Sequence, residues 1–416
     1  MLAKMLRLAG WLSALWLFGC GSAGPFGPST SPAAWAAIGD PNCSQNGCVR
    51  SAHHAGNYTA LEVYPYSDLG VYIDNGYSVG VLEFVTGSRV SSATVTIPYP
   101  LFAPAGGYPI VGNAHGSVGL DDPCRLSGTV LGTGMAGLFG ARTAIGITPD
   151  GPGLGTAGIL PYLVREVEGD SMLDALRAAR AVARALEVPL TEGYAVVGLS
   201  EGGYTALAAA SRHAEYAPEL NVRAFAAAAP ADAWLEHWSE GIAVNGEHVP
   251  YHAMLFYAWQ RYYDYAHPSL WTPQVSDIID DLMANACAYD FEGQRKTYLQ
   301  TLGPNAEQIF APDLLRGYRA GKLPESAAVL TRAFDTNRIR AFEQTAPLSI
   351  WQGTADVTVP VTQTDELVDA LRAGGVDVDY HLVDGADHTS TAFGPVTKAQ
   401  VATMASIAWV RDKLAH

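Results

Sequence analysis

Positive charge is scarce in this chain. Of 416 residues, 25 are Lys or Arg and 41 are Asp or Glu, a formal net charge of −16. Phosphate backbones are held by clustered cations, and no basic stripe or basic aromatic groove occurs, so the composition argues against nucleic-acid binding. Charge of either sign is also low, at 16%, while 49% of residues are hydrophobic. That balance provides for a substantial core and argues against global disorder. No C-x-x-C occurs and the histidines are scattered, so no metal site is expected. After the N-terminus no apolar run is long enough to span a bilayer. There is no internal repeat. The length suits one large domain with insertions, or two domains.

The N-terminus reads as a targeting segment. Lys4 and Arg7 precede an apolar run from Leu8 to Phe18, which has the length of a signal-peptide core. Leu17-Phe18-Gly19-Cys20 resembles a bacterial lipobox, with cleavage before Cys20 and lipid on its thiol. Phe18 stands where a small residue is usual, so ordinary secretion is the alternative. Residues 1–19 are then a signal peptide. Residues 20–40, rich in Gly, Ser, Pro and Ala, are a flexible tether. The expectation is an exported, monomeric lipoprotein of the cell envelope that meets the membrane only through Cys20. Its other four cysteines form an even set in an oxidising compartment. Cys43 and Cys48 can close a small loop; Cys124 and Cys287 would then pair across a long one.

Along the chain, β-like runs at 61–64, 79–85 and 93–98 suggest an antiparallel start to a sheet. Apolar strands follow at 108–112, 143–148, 194–199 and 222–229. The spacing of Met172, Leu176, Ala179, Ala183 and Leu186 predicts a helix over 171–187, capped by Ser171 and Asp174. Alternation stops near Pro230. Residues 231–345 read as helical, with ten aromatics between Trp234 and Trp271. It resumes with a strand at 348–351, a helix near 362–373, a strand at 376–383 and a last helix near 396–414. The predicted fold is α/β, with a mostly parallel central sheet. Its core covers 41–230 and 346–416, and the helical insertion is a lid of about 115 residues, most of whose aromatics do ordinary packing.

Gly198-Leu199-Ser200-Glu201-Gly202 reads G-x-S-x-G between the apolar strand and an Ala-rich helical pattern. Strand, sharp turn and helix is the context in which such a serine becomes a nucleophile. A serine hydroxyl needs a base, and the base needs a third group to fix its tautomer. Asp356 and His388 follow in the order Ser, Asp, His, each in a loop just beyond a strand. Asp384 and Asp387 are too near His388 in sequence to reach behind its ring easily. His381 lies within a strand pattern and reads as structural. His53 and His54 are adjacent on an extended chain and point apart, which excludes a metal pair. For the oxyanion, one donor is the N–H of Glu201; the other is the N–H of Gly116 or Ser117, in the loop after the strand at 109–112.

These motifs resemble the secretory lipases of fungi and actinobacteria related to yeast lipase A, within the α/β-hydrolase superfamily. The resemblance covers roughly residues 58–414. It rests on His115-Gly116-Ser117-Val118-Gly119-Leu120-Asp121-Asp122-Pro123-Cys124, on Asp150-Gly151-Pro152-Gly153-Leu154-Gly155 with Pro161-Tyr162-Leu163, and on Gly198 to Gly203. The lipase pattern has an aromatic where Gly151 stands, so that loop is expected to be more open here. The resemblance implies an α/β-hydrolase fold with a helical lid, a Ser200, Asp356, His388 triad, a Cys124–Cys287 disulfide and activity on carboxylic esters. No cofactor is needed for that chemistry. The same triad on polyesters, plant-wall esters or peptides is the neighbouring possibility, and a silent surface lipoprotein a more distant one.

Overall fold

Nine strands form one sheet: β1 (Val49–Tyr58), β2 (Tyr77–Thr86), β3 (Arg89–Pro98), β4 (Tyr108–Ala114), β5 (Ile145–Pro149), β6 (Leu190–Leu199), β7 (Val222–Ala228), β8 (Leu348–Gly353) and β9 (Val378–Val383). Their order is β1-β2-β3-β5-β4-β6-β7-β8-β9. β1, β2, β3 and β5 pair antiparallel; from β5 to β9 every pairing is parallel. The computed structural model describes residues 31–58, 76–99, 103–140, 144–265, 270–289, 297–388 and 408–415. The run at 61–64, residues 1–19, Cys20 and most of the last predicted helix lie outside them. No helix among the described residues is long and apolar enough to cross a membrane.

The parallel strands are apolar because both faces are covered. All five residues of β5 and all six of β8 are buried. The helices are α1 (Pro32–Ala36), α2 (Val130–Gly140), α3 (Arg165–Ala185), α4 (Glu201–Tyr216), α5 (Leu235–Ala243), α6 (Val249–Tyr262), α7 (Pro273–Ser276), α8 (Ile279–Asn285), α9 (Tyr298–Leu302), α10 (Ala306–Ile309), α11 (Pro312–Arg319), α12 (Ala328–Asn337) and α13 (Val361–Ala373). α3 and α4 pack together against the sheet, in one core with Ile110, Ile147 and Val196. A short helix at 408–415 closes the other face, where Val410 packs with Val111, Val197 and Ala226. Trp409 Nε1 pins it to Asp379 Oδ2 at 2.9 Å.

Two elements differ from expectation. α3 begins at Arg165 rather than near 171, and Val164 precedes it without a side-chain cap. Ser171 and Asp174 sit inside the helix, both buried. Asp174 answers tertiary partners instead of orphan N–H groups: Arg177 Nη1 and the Tyr216 hydroxyl both reach it at 2.7 Å. The face carrying Met172, Leu176, Ala179 and Ala183 is buried as its spacing predicts. β1 had no sequence signal, since only Val49 and Ala52 of its ten residues are buried hydrophobics. It is an edge strand, and His53 and His54 lie on it.

The described residues between β7 and β8 hold helices α5 to α12, and their aromatics pack with one another as part of the main core. Phe256 meets Phe310, Tyr318 and Phe334, and Trp259 meets Phe334 edge-on at 4.7 Å. Two disulfides are formed, Cys43–Cys48 and Cys124–Cys287. The second ties the loop after β4 to the helical segment. Beside it, Ala288 N donates to Val118 O at 2.8 Å and Leu120 N to the Tyr298 hydroxyl at 3.3 Å.

Candidate active site

Ser200 stands between β6 and α4 with φ 62° and ψ −120°. A non-glycine residue with positive φ is strained by about 1–3 kcal/mol, and the surroundings must hold it there. They do so through hydrogen bonds: Ser200 N donates to Ala228 O at 2.9 Å, and Ser200 O accepts from Tyr204 N and Ala231 N at 3.0 Å each. The turn also requires small neighbours. A Cβ on Gly198 would lie 2.1 Å from Gly202 O, and one on Gly202 would lie 2.2 Å from Ala114 O. Those contacts press α4 against the loop after β4.

That loop is the one carrying Gly116 and Ser117. A Cβ on Gly116 would sit 3.7 Å from the Ser200 Cβ, so the two segments face each other at van der Waals distance. Glu201 is the first residue of α4, where N–H groups have no partner within the helix and the dipole favours negative charge. His115 anchors the loop between two carbonyl oxygens, with Nδ1 2.8 Å from Gly116 O and Nε2 3.2 Å from Asp150 O. Ser117 Oγ lies 2.8 Å from the Tyr162 hydroxyl, and Tyr162 O accepts from Trp259 Nε1 of α6 at 2.9 Å.

Asp150 holds the next turn. One oxygen accepts from Leu126 N and Ser127 N at 2.8 and 2.9 Å, and the other from Ser92 Oγ at 2.6 Å. Burial raises its carboxyl pKa, and the hydrogen bonds from Ser127 and Ser92 pull it back down. The adjacent loop is not opened by Gly151, contrary to expectation. Leu160 fills the space, with its Cδ1 2.6 Å from where a Gly151 Cβ would be.

Asp356 and His388 come together after β8 and β9. His388 Nδ1 lies 2.8 Å from Asp356 Oδ2. The carboxylate is fully covered, and its other oxygen accepts from Thr358 N and Val359 N at 2.9 Å each. The imidazole keeps 11% of its side-chain surface exposed. Asp384 turns to the Thr354 hydroxyl instead, at 3.5 Å. His381 stacks on Trp351 with ring centroids 3.9 Å apart, a packing role. Ser200, Asp356 and His388 thus all follow the carboxyl ends of parallel strands β6, β8 and β9, where open α/β sheets carry their sites.

Two buried carboxyls near the start of α4 carry no signal in the sequence. The Glu201 side chain and Glu168 of α3 are 3% and 6% exposed. Glu168 Oε1 accepts from Leu163 N and Oε2 from Thr205 Oγ1, both at 2.6 Å. No local pattern marks a glutamate as buried. For Glu201, the only hint was its place beside a serine whose N-terminal helical turn is covered.

Residues 142–235 match the Secretory lipase family. Lipase A of Arthroderma benhamiae is 26% identical over 306 residues, which cover 70% of this chain and 58% of that protein. The chain therefore spans little more than half the length of that relative. Among solved structures, the ligand-bound rice cell wall degrading esterase LipA of Xanthomonas oryzae superposes with a TM-score of 0.74 at 18% identity, covering 89% of this chain and 99% of that one. Candida antarctica lipase A in its closed state superposes with a TM-score of 0.63 at 16% identity, covering 95% and 87%. The chain has the α/β-hydrolase fold and carries the secretory lipase match across its serine elbow, in agreement with the resemblance read from its sequence.

Proposed function

We propose that this chain is a serine carboxylic ester hydrolase. The observation that carries the reading is the His388–Asp356 hydrogen bond of 2.8 Å, at the same sheet edge as a strained, glycine-flanked Ser200. Asp356 fixes the tautomer in which His388 Nε2 is the basic nitrogen. Ser200 Oγ attacks the ester carbonyl carbon as His388 removes the hydroxyl proton. The tetrahedral oxyanion is held by the N–H of Glu201 and that of Gly116 or Ser117, each donor contributing about 3 kcal/mol. The intermediate expels the alcohol, which leaves with the proton from His388. Water then attacks the acyl-Ser200 ester, giving its proton to His388, and the carboxylic acid departs as Ser200 regains its hydrogen.

The helical segment 231–345 is a lid over the acyl side of the site, and the matched lipase family and relative support lipid esters as substrates. Plant-wall ester is a second reading with the same residues, favoured by the superposition on a rice cell wall degrading esterase. Export agrees with the Secretory lipase match, and Cys20 would supply a lipid tether. Ser200→Ala tests the central role. Hydrolysis of p-nitrophenyl esters should fall on the order of 10⁴-fold or more with the fold intact. Full activity in that variant would end the proposal. A screen from acetate to palmitate and on feruloylated wall esters separates the two substrate readings.

A further inference from the structure

A cavity of about 30 Å³ with a lining more apolar than polar includes Glu201 and, among its polar members, His115, Asp150, Glu168, Ser171 and Thr205. Among the described residues, Glu201 Oε2 and Ser171 Oγ are buried without a hydrogen-bond partner. Glu168 differs, since each of its oxygens is met by a donor, Leu163 N and Thr205 Oγ1. Thr205 Oγ1 also lies 3.1 Å from the backbone carbonyl oxygen of Glu201, one helical turn earlier. Two acids thus share a covered site, Glu168 with a donor on each oxygen and Glu201 with Oε2 unmet.

We infer that Glu201 is a positioning residue whose side chain is a neutral carboxylic acid at working pH, so that no negative charge stands behind the oxyanion-binding N–H of the same residue. This deepens the ester-hydrolase reading and rests on it. The unpartnered Oε2 carries the proton, and the cavity has room for about two waters to accept it and to meet Ser171. An ionised Glu201 would put a negative charge on the residue whose N–H holds the developing oxyanion, where burial makes like charges repel strongly. The groups facing it oppose ionisation. Glu168 approaches from α3, Tyr162 from the loop before α3, and Tyr251 from α6, while Ser117 alone draws it toward the anion. Burial first and the Glu168 charge second raise Glu201 well above the usual carboxylate range. Glu168 is pushed up to about 8 by burial and restrained by the hydrogen bonds from Thr205 and Leu163. The N-terminus of α4 favours an anion, but that effect is weak beside the burial of an unpartnered carboxylate.

Infrared difference spectra of the full chain, Glu201→Gln minus parent, test the inference at neutral pH. A carboxylic-acid carbonyl band present in the parent should be missing from the variant. Loss of carboxylate bands instead overturns the proposal. In ester hydrolysis, Glu201→Gln should recover most of the kcat that Glu201→Ala loses, because the amide is neutral and of the same shape. Equal loss in both overturns the positioning role. If Glu201→Gln does not fold, Glu201→Asp replaces it: the acid band should shift, and a carboxylate band there is equally fatal. An acid band in a parent that hydrolyses no ester would overturn the ester-hydrolase reading, and the oxyanion role with it, while leaving the neutral acid in place.

Discussion

His388 and Asp356, 32 residues apart in sequence, meet through Nδ1 and Oδ2 at 2.8 Å. The geometry of that pair is set from the aspartate side. Asp356 is locked by two backbone N–H groups on Oδ1, so only Oδ2 is free to orient the ring. Nδ1 must then be the protonated nitrogen, which leaves Nε2 as the acceptor.

Asp356→Asn should keep the loop, because the amide oxygen can still accept from Thr358 and Val359. Its NH₂ would face His388 Nδ1 and force the wrong tautomer. A fall in kcat of about 10⁴-fold is expected, with the melting transition little changed. Steady-state kinetics and a thermal melt of the same preparation check both halves.

Gly202→Ala should destabilise the fold. Its Cβ would lie 2.2 Å from Ala114 O and 2.8 Å from His115 O, both backbone atoms that cannot swing away. A loss of about 3 kcal/mol in urea unfolding is expected. A variant as stable as its parent would contradict the close approach of α4 to the loop after β4.

The Cys124–Cys287 bond spans 163 residues and sits beside the Ala288–Val118 and Leu120–Tyr298 contacts. Replacing both cysteines by serine should cost about 2–5 kcal/mol in denaturant unfolding. Because the same strap steadies the Gly116-Ser117 segment, kcat should fall more than KM rises. Unchanged kcat would separate the disulfide from the site.

His237 of α5 provides a pH-dependent clasp. Its Nδ1 lies 2.6 Å from Asp232 Oδ2 and its Nε2 3.1 Å from Glu366 Oε2 of α13, which joins the helical segment to the core. Burial alone would lower the imidazole pKa, but Asp232 and Glu366 outweigh it and raise it. Its folded value therefore lies above its unfolded one, and the stabilisation is fully present below the unfolded value. It is lost as pH rises through the folded value. The parent should be progressively destabilised above about pH 6.5 relative to His237→Gln. Parallel melting-temperature profiles of the two proteins would contradict the clasp.

What the sequence made legible was local. Ser200, Asp356 and His388 each sit in a short pattern just after an apolar strand, and chain order alone pairs the last two. The parallel strands were readable because burial on both faces leaves continuous apolar runs, as in β5 and β8. β1 was not, since an edge strand holding two histidines needs few apolar residues. The start of α3 was misplaced because Ser171 and Asp174 look like a cap until Arg177 and Tyr216 are brought to Asp174. The Glu168–Glu201 and His237–Glu366 relationships arise only from tertiary packing. No residue type or spacing announces them.

In the proposed reaction Ser200 is a nucleophile activated by His388. Labelling with a fluorophosphonate probe, followed by mass spectrometry of the peptide carrying Gly198 to Gly203, tests it most directly. One adduct is expected, on Ser200 Oγ, and almost none in His388→Ala. An unlabelled Ser200 in folded parent protein, or labelling that His388→Ala leaves unchanged, would contradict it.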